Sequence, residues 1–151
     1  MSPAAATPTP YARAELEQVA DRLNRVLARY SDKDWAYSRI SLEIKGLQEI
    51  DAPYVLWLEW LPTTTPEGRR AVEDYRAEVT WGERHSAELG ILEVISLRLN
   101  RALLALGGEA DFPDARPALR LFKKTELAAA GVADAFWYRV REVQGEEFDN
   151  R

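Results

Sequence analysis

Few side chains in this chain have the chemistry to transform a substrate. The single histidine, His85, has no serine or carboxylate at a spacing that signals a catalytic triad, so a structural or surface role is the favoured reading. Cysteine is absent, which removes a thiol nucleophile, a disulfide framework and any thiolate-ligated zinc or iron–sulfur centre. There is no Walker-type glycine-lysine loop, no G-x-G-x-x-G run after a strand and no H-E-x-x-H helix. Hydrolysis by two carboxylates would have to use the acidic pairs Glu15 with Glu17 or Glu73 with Asp74. Both sit at polar positions, where carboxylates usually solubilise a surface. No catalytic residue, metal ligand or cofactor-binding residue is assigned on this basis, and no cofactor is expected.

The residues suited to binding are the arginines and tryptophans. Basic side chains cluster at Arg69, Arg70, Arg76 and Arg84, at Arg98 and Arg101, and at Arg116, Arg120, Lys123 and Lys124. Each cluster is also what a solvated helix or strand face looks like. The chain has 20 basic against 25 acidic residues, a net charge of −5, which argues against coating nucleic acid by charge alone. Of the five tryptophans, Trp35, Trp57, Trp60 and Trp81 fall on expected strands and Trp137 on an expected helix. Most should be buried in the core, and an exposed one beside arginines would suit base stacking or a protein interface.

The elements that must position these residues follow from periodicity. Residues 1–10 are small and proline-rich and read as a disordered arm, residues 11–145 as a single α+β domain, and residues 146–151 as a frayed acidic tail. Leu16, Val19, Ala20, Leu23, Val26, Leu27 and Tyr30 recur at helical spacing. The period then becomes two, with Ile40, Leu42 and Ile44 alternating against Arg39, Ser41, Glu43 and Lys45, which predicts a strand with one buried face. Residues 54–61 are apolar on both faces, as in a central strand, and a hairpin joining the two strands is expected. Tyr75, Ala77, Val79 and Trp81 alternate as a third strand would, although residues 69–79 also fit a short helix.

Ser86 is the expected N-cap of a long helix with a stripe of Leu92, Ile95, Leu99, Ala102, Leu103 and Leu106, stopped by Gly107 and Gly108. Residues 119–122 read as either an edge strand or a first helical turn. Thr125 should cap a last helix with Val132, Ala135, Phe136 and Val140 on one side. The expected fold is therefore an N-terminal helix, a three-stranded antiparallel sheet, a long helix packed on the sheet and a C-terminal helix. No stretch approaches the ~20 apolar residues of a membrane span, and nothing resembles a signal peptide, so a cytoplasmic location without membrane contact is expected.

Two segments resemble a known family. Residues 18–27 (QVADRLNRVL), followed by residues 35–40 (WAYSRI), are similar to the start of the Rad-fifty-two-type single-strand annealing proteins, where a helix leads into a tryptophan-containing strand. Residues 96–107 (SLRLNRALLALG) resemble that family's long-helix end, (S/T)-D-x-L-K-R-A-L-x-x-F-G, and residues 79–82 fall where the family has a strand end. The resemblance spans about residues 15–108. It implies a homo-oligomer that binds and anneals single-stranded DNA without ATP or metal, with Arg39, Arg76, Arg98 and Arg101 on the phosphates and an affinity that falls with salt. Asn100, Leu104 and Gln18 stand where the family carries basic residues, which predicts weaker binding or a fold kept for another purpose. The leading expectation is thus a single-stranded DNA-binding protein. A non-enzymatic protein-interaction or assembly protein is the alternative, and a small hydrolase comes third.

Overall fold

The structure, a computed structural model, describes residues 11–29, 38–106, 108 and 110–142. The expected arm, the tail, Tyr30, Trp35 and Gly107 lie outside these residues. The elements are α1 (Arg13–Arg29), β1 (Ser38–Gly46), β2 (Tyr54–Pro62), α2 (Pro66–Arg84), α3 (Ile91–Leu106), β3 (Ala115–Lys123), α4 (Lys124–Ala129) and β4 (Asp134–Glu142). The α+β class stands, but the sheet has four antiparallel strands in the order β1-β4-β2-β3.

Helix α1 buries Leu16, Ala20, Leu23, Val26 and Leu27 against Ile40, Leu42 and Ile44 of β1, as the periodicity predicts. Strand β2 is an interior strand. It does not form a hairpin with β1, because β4 lies between them. The expected third strand is the middle of α2, whose buried side is Gly68, Val72 and Tyr75, while Ala77 and Trp81 are exposed. The start of α2 is specified locally: Thr65 accepts a bond from the Gly68 amide at 3.1 Å, and Pro66 occupies the first turn. Ser86 does not cap the long helix. Ser86–Glu88 is a 3-10 turn with no side-chain cap, and α3 begins at Ile91.

The C-terminal helix is also corrected. Only Lys124–Ala129 is helical, with Lys123 rather than Thr125 at its N-cap, and Gly131 takes a φ of 84° that ends it. Residues 134–142, rich in aromatic and β-branched side chains, form the interior strand β4, with Phe136 opposite Ile44 and Tyr138 opposite Leu42. Residues 119–122 lie within the edge strand β3.

The two halves of the chain follow one plan. The unit α1-β1-β2 is repeated as α3-β3-β4, and the halves interleave, so that β1 pairs with β4 and β2 with β3. The two ribbons share a single bridge, Leu56 opposite Phe136, and these two residues are each other's counterparts. The contacts beside that bridge are reciprocal: the Leu47 amide donates to the Ala133 carbonyl at 2.9 Å, and the Lys124 amide donates to the Pro53 carbonyl at 2.9 Å.

Both sheet edges are closed the same way. Asn24 of α1 donates to the Leu42 carbonyl at 2.9 Å and accepts from the Leu42 amide at 2.8 Å. Asn100 of α3 does the same to Leu119, at 2.9 and 2.8 Å. Each amide thus stands in for a neighbouring strand. The tetrapeptide Arg-Leu-Asn-Arg occurs at residues 22–25 and again at 98–101.

Asn100 is buried, so Asn100→Ala strands the Leu119 amide, while the Leu119 carbonyl keeps the bond donated by Ser96 Oγ at 3.0 Å; the loss should cost about 1–3 kcal/mol in urea unfolding. Asn24→Ala, at a half-buried site, should cost about half as much. A Cβ on Gly68 would lie 1.7 Å from the Pro62 carbonyl oxygen, a backbone atom that cannot swing aside, so Gly68→Ala should lower stability by about 1–3 kcal/mol in the same assay.

Candidate functional site

The four arginines singled out from sequence do not line one groove. Arg76 lies on α2 and ion-pairs with Glu73 at 2.6 Å. Arg101 lies on α3 with its side chain 16% exposed and pairs with Glu83 of α2 at 2.7 Å, joining the two helices. Arg98 is half-buried on α3. Arg39 belongs to β1, at the opposite edge of the sheet from β3 and α3. Three strand spacings separate the two edges, about 14 Å. Of the carboxylate pairs, Glu17 bonds Arg13 and Glu73 bonds Arg76, the roles of surface ion pairs. His85 is the C-cap of α2: its ring stacks on Trp81 at 4.2 Å, and Nδ1 lies 2.8 Å from the Trp81 carbonyl oxygen.

Arg39 does have basic neighbours, on β4. The antiparallel register sets Arg39 opposite Arg141, Ser41 opposite Arg139, Glu43 opposite Trp137 and Lys45 opposite Ala135, all on the sheet face turned away from α1. Glu43 lies 3.6 Å from Arg139 and 3.8 Å from Lys45. At one end of the two strands Arg39, Ser41, Arg139 and Arg141 meet Asn24, Leu27 and Ala28 of α1 around a cleft of about 530 Å3, which lies at the sheet's rim and not on its outer face alone. Arg139 is 72% exposed. Sequence reasoning missed Arg139 and Arg141 because it placed them on a helix. Read as a strand, the alternation of Trp137, Arg139 and Arg141 puts all three on the face of Arg39.

The internal repeat shows what covers the matching face of the other ribbon. There Glu59 and Arg120, the counterparts of Arg139 and Glu43, form an ion pair at 3.2 Å with the signs exchanged. Helix α2 roofs that pair. The Tyr75 hydroxyl donates to Glu59 at 2.5 Å, Arg120 lies over the Tyr75 ring, and Val72 packs with Leu61 and Ala118. Among the described residues no helix covers the β1/β4 face, where Ser41, Arg139 and Arg141 are exposed.

No protein-family model, curated protein or solved structure matches this chain. Among the described residues no helix is long and apolar enough to cross a membrane.

Burial, reinforced by the bond to Glu59, raises the Tyr75 hydroxyl above its ordinary value. The unfolded chain releases this proton near pH ~10, while the folded chain retains it. The hydroxyl's contribution to stability is therefore complete below that pH and declines as the pH rises past it. Thermal unfolding followed from neutral pH into the alkaline range should show a steeper loss for the wild type than for Tyr75→Phe.

Proposed function

We propose that this chain is a non-enzymatic interaction or assembly protein whose working surface is the outer face of β1/β4. One observation supports this above the others: the fold builds the same ion-paired sheet face twice and roofs one copy with an amphipathic helix, while among the described residues no helix covers the other. An interior precedent of this kind favours another polypeptide as the occupant, and a homo-oligomer is the simplest assembly. The net charge of −5 agrees with a protein ligand better than with a polyanion.

A second reading, single-stranded DNA binding, draws on Arg39, Arg139 and Arg141, which share the outer face of β1/β4 with Trp137. Three guanidiniums would take phosphates and the indole would take a base, with annealing as the activity that the family resemblance implies. Arg76 and Arg101, held by Glu73 and Glu83, contribute little to such a surface.

Fluorescence anisotropy with labelled single-stranded and duplex oligonucleotides, at low and moderate salt, separates the two readings. The interaction reading expects no oligonucleotide binding that persists at moderate salt. Strand-selective, salt-sensitive binding that disappears in a folded Arg39→Ala, Arg139→Ala, Arg141→Ala variant would replace it with the DNA reading.

A further inference from the structure

Among the described residues helix α2 has no counterpart in the repeat, and it is not spent on the β2/β3 face alone. Asp74, Glu78 and Trp81 follow one another at helical spacing along its exposed flank. Trp81 is 46% exposed, an unusual position for an indole on a charged helix. Glu93 of α3 borders the same flank across a groove lined by Glu78, Trp81 and Leu89. Three carboxylates thus lie along one flank with an exposed indole, which stacks on His85.

The β1/β4 face presents the opposite charges. It carries Arg39, Arg139, Arg141 and Lys45, with Trp137 half-buried among them. Arg70 interrupts the acidic flank and Glu43 the basic face, and these two are themselves opposite in sign. Leu56 and Phe136 are bridge partners and therefore share a face, so the side of β2/β3 that holds α2 and the open side of β1/β4 are the same side of the sheet.

We propose that the occupant of the β1/β4 face is helix α2 of a second copy of this chain. Two copies set outer side to outer side, about a twofold axis lying in the interface, seat each α2 on the other's open ribbon. The contact then closes at two copies. Reciprocity matters for size, since one two-stranded ribbon is small against the roughly 800 Å2 per partner of a stable interface, and two such contacts double the area. The proposal rests on the interaction-protein reading and identifies its partner.

The test uses the full chain in analytical ultracentrifugation at low and moderate salt, with three samples. The wild type should be a dimer whose dissociation constant rises with salt. Arg139→Glu/Arg141→Glu and Asp74→Arg/Glu78→Arg should each weaken the dimer by about tenfold or more, since like charges then face each other. Mixed one to one, these two variants should form a heterodimer, because each now carries the charges the other lost. All four side chains are exposed, so circular dichroism should show each variant folded as the wild type is. A wild type that stays monomeric at high micromolar concentration overturns the proposal. So does a dimer indifferent to both variants, or a mixture that fails to restore association. The interaction reading itself fails by a different measurement, selective oligonucleotide binding to the same face in the anisotropy assay.

Discussion

The sheet depends on a constraint that antiparallel pairing cannot meet by itself: its two outermost strands have backbone amides and carbonyls with no strand beside them. A pair of asparagine side chains answers that constraint, Asn24 at Leu42 and Asn100 at Leu119. A carboxamide is the one neutral side-chain group that offers a donor and an acceptor at the spacing of a peptide unit. Because each asparagine sits mid-helix, the two bonds do more than block an edge. They set the height and rotation of α1 and α3 against the sheet, and so decide which helix faces point inward. Leu23, Val26 and Leu27 on one side and Leu99, Ala102 and Leu103 on the other are buried as a consequence.

The interleaving of the halves follows from the same arrangement. Each ribbon takes one strand from each half, so neither half completes a sheet without the other. The halves are thus joined along both ribbons, and the single bridge at Leu56 and Phe136, with the reciprocal amide bonds of Leu47 and Lys124, is where the two ribbons meet at the sheet's centre. The rim contacts add to this: Arg29 ion-pairs with Asp111 at 2.9 Å, and that bond holds the Asp111 carboxyl below its ordinary range. Exposed pairs of this kind orient a loop more than they stabilise a fold.

Among the described residues helix α2 is unmatched in the internal repeat, and this has a surface consequence. The Glu59–Arg120 pair is tolerable beneath α2 because Tyr75 supplies a hydroxyl to the carboxylate and a ring to the guanidinium. The reversed pair, Glu43 with Arg139, has no such roof among the described residues and keeps its solvent. Asn100 illustrates a related point about the residues that looked like losses against a DNA-binding family. Where a lysine would be solvated, this asparagine is buried and structural.

Much of this architecture can be read from residues alone. The α1 stripe, the alternation of β1, the doubly apolar β2 and the stripe of α3 each carry a single period over enough residues to name the element, because one face of each is buried by a large core. The α+β class followed from these. The failures lie where two periods fit the same letters. Tyr75 and Val79 belong equally to a strand face and a helix face, and only the Thr65 cap and Pro66 favoured the helix; Phe136 and Val140 were equally ambiguous, with Gly131 the local sign that the preceding helix had ended. Strand order, the reciprocal join and the gathering of Arg39, Arg139 and Arg141 were decided by tertiary structure, since pairing between residues a hundred positions apart leaves no local period to read. The sequence alone determined that thiol chemistry is missing, with no cysteine, and that the one histidine has no serine or carboxylate at a triad spacing. What the remaining arginines and tryptophans do together depended on which strands the backbone brought side by side.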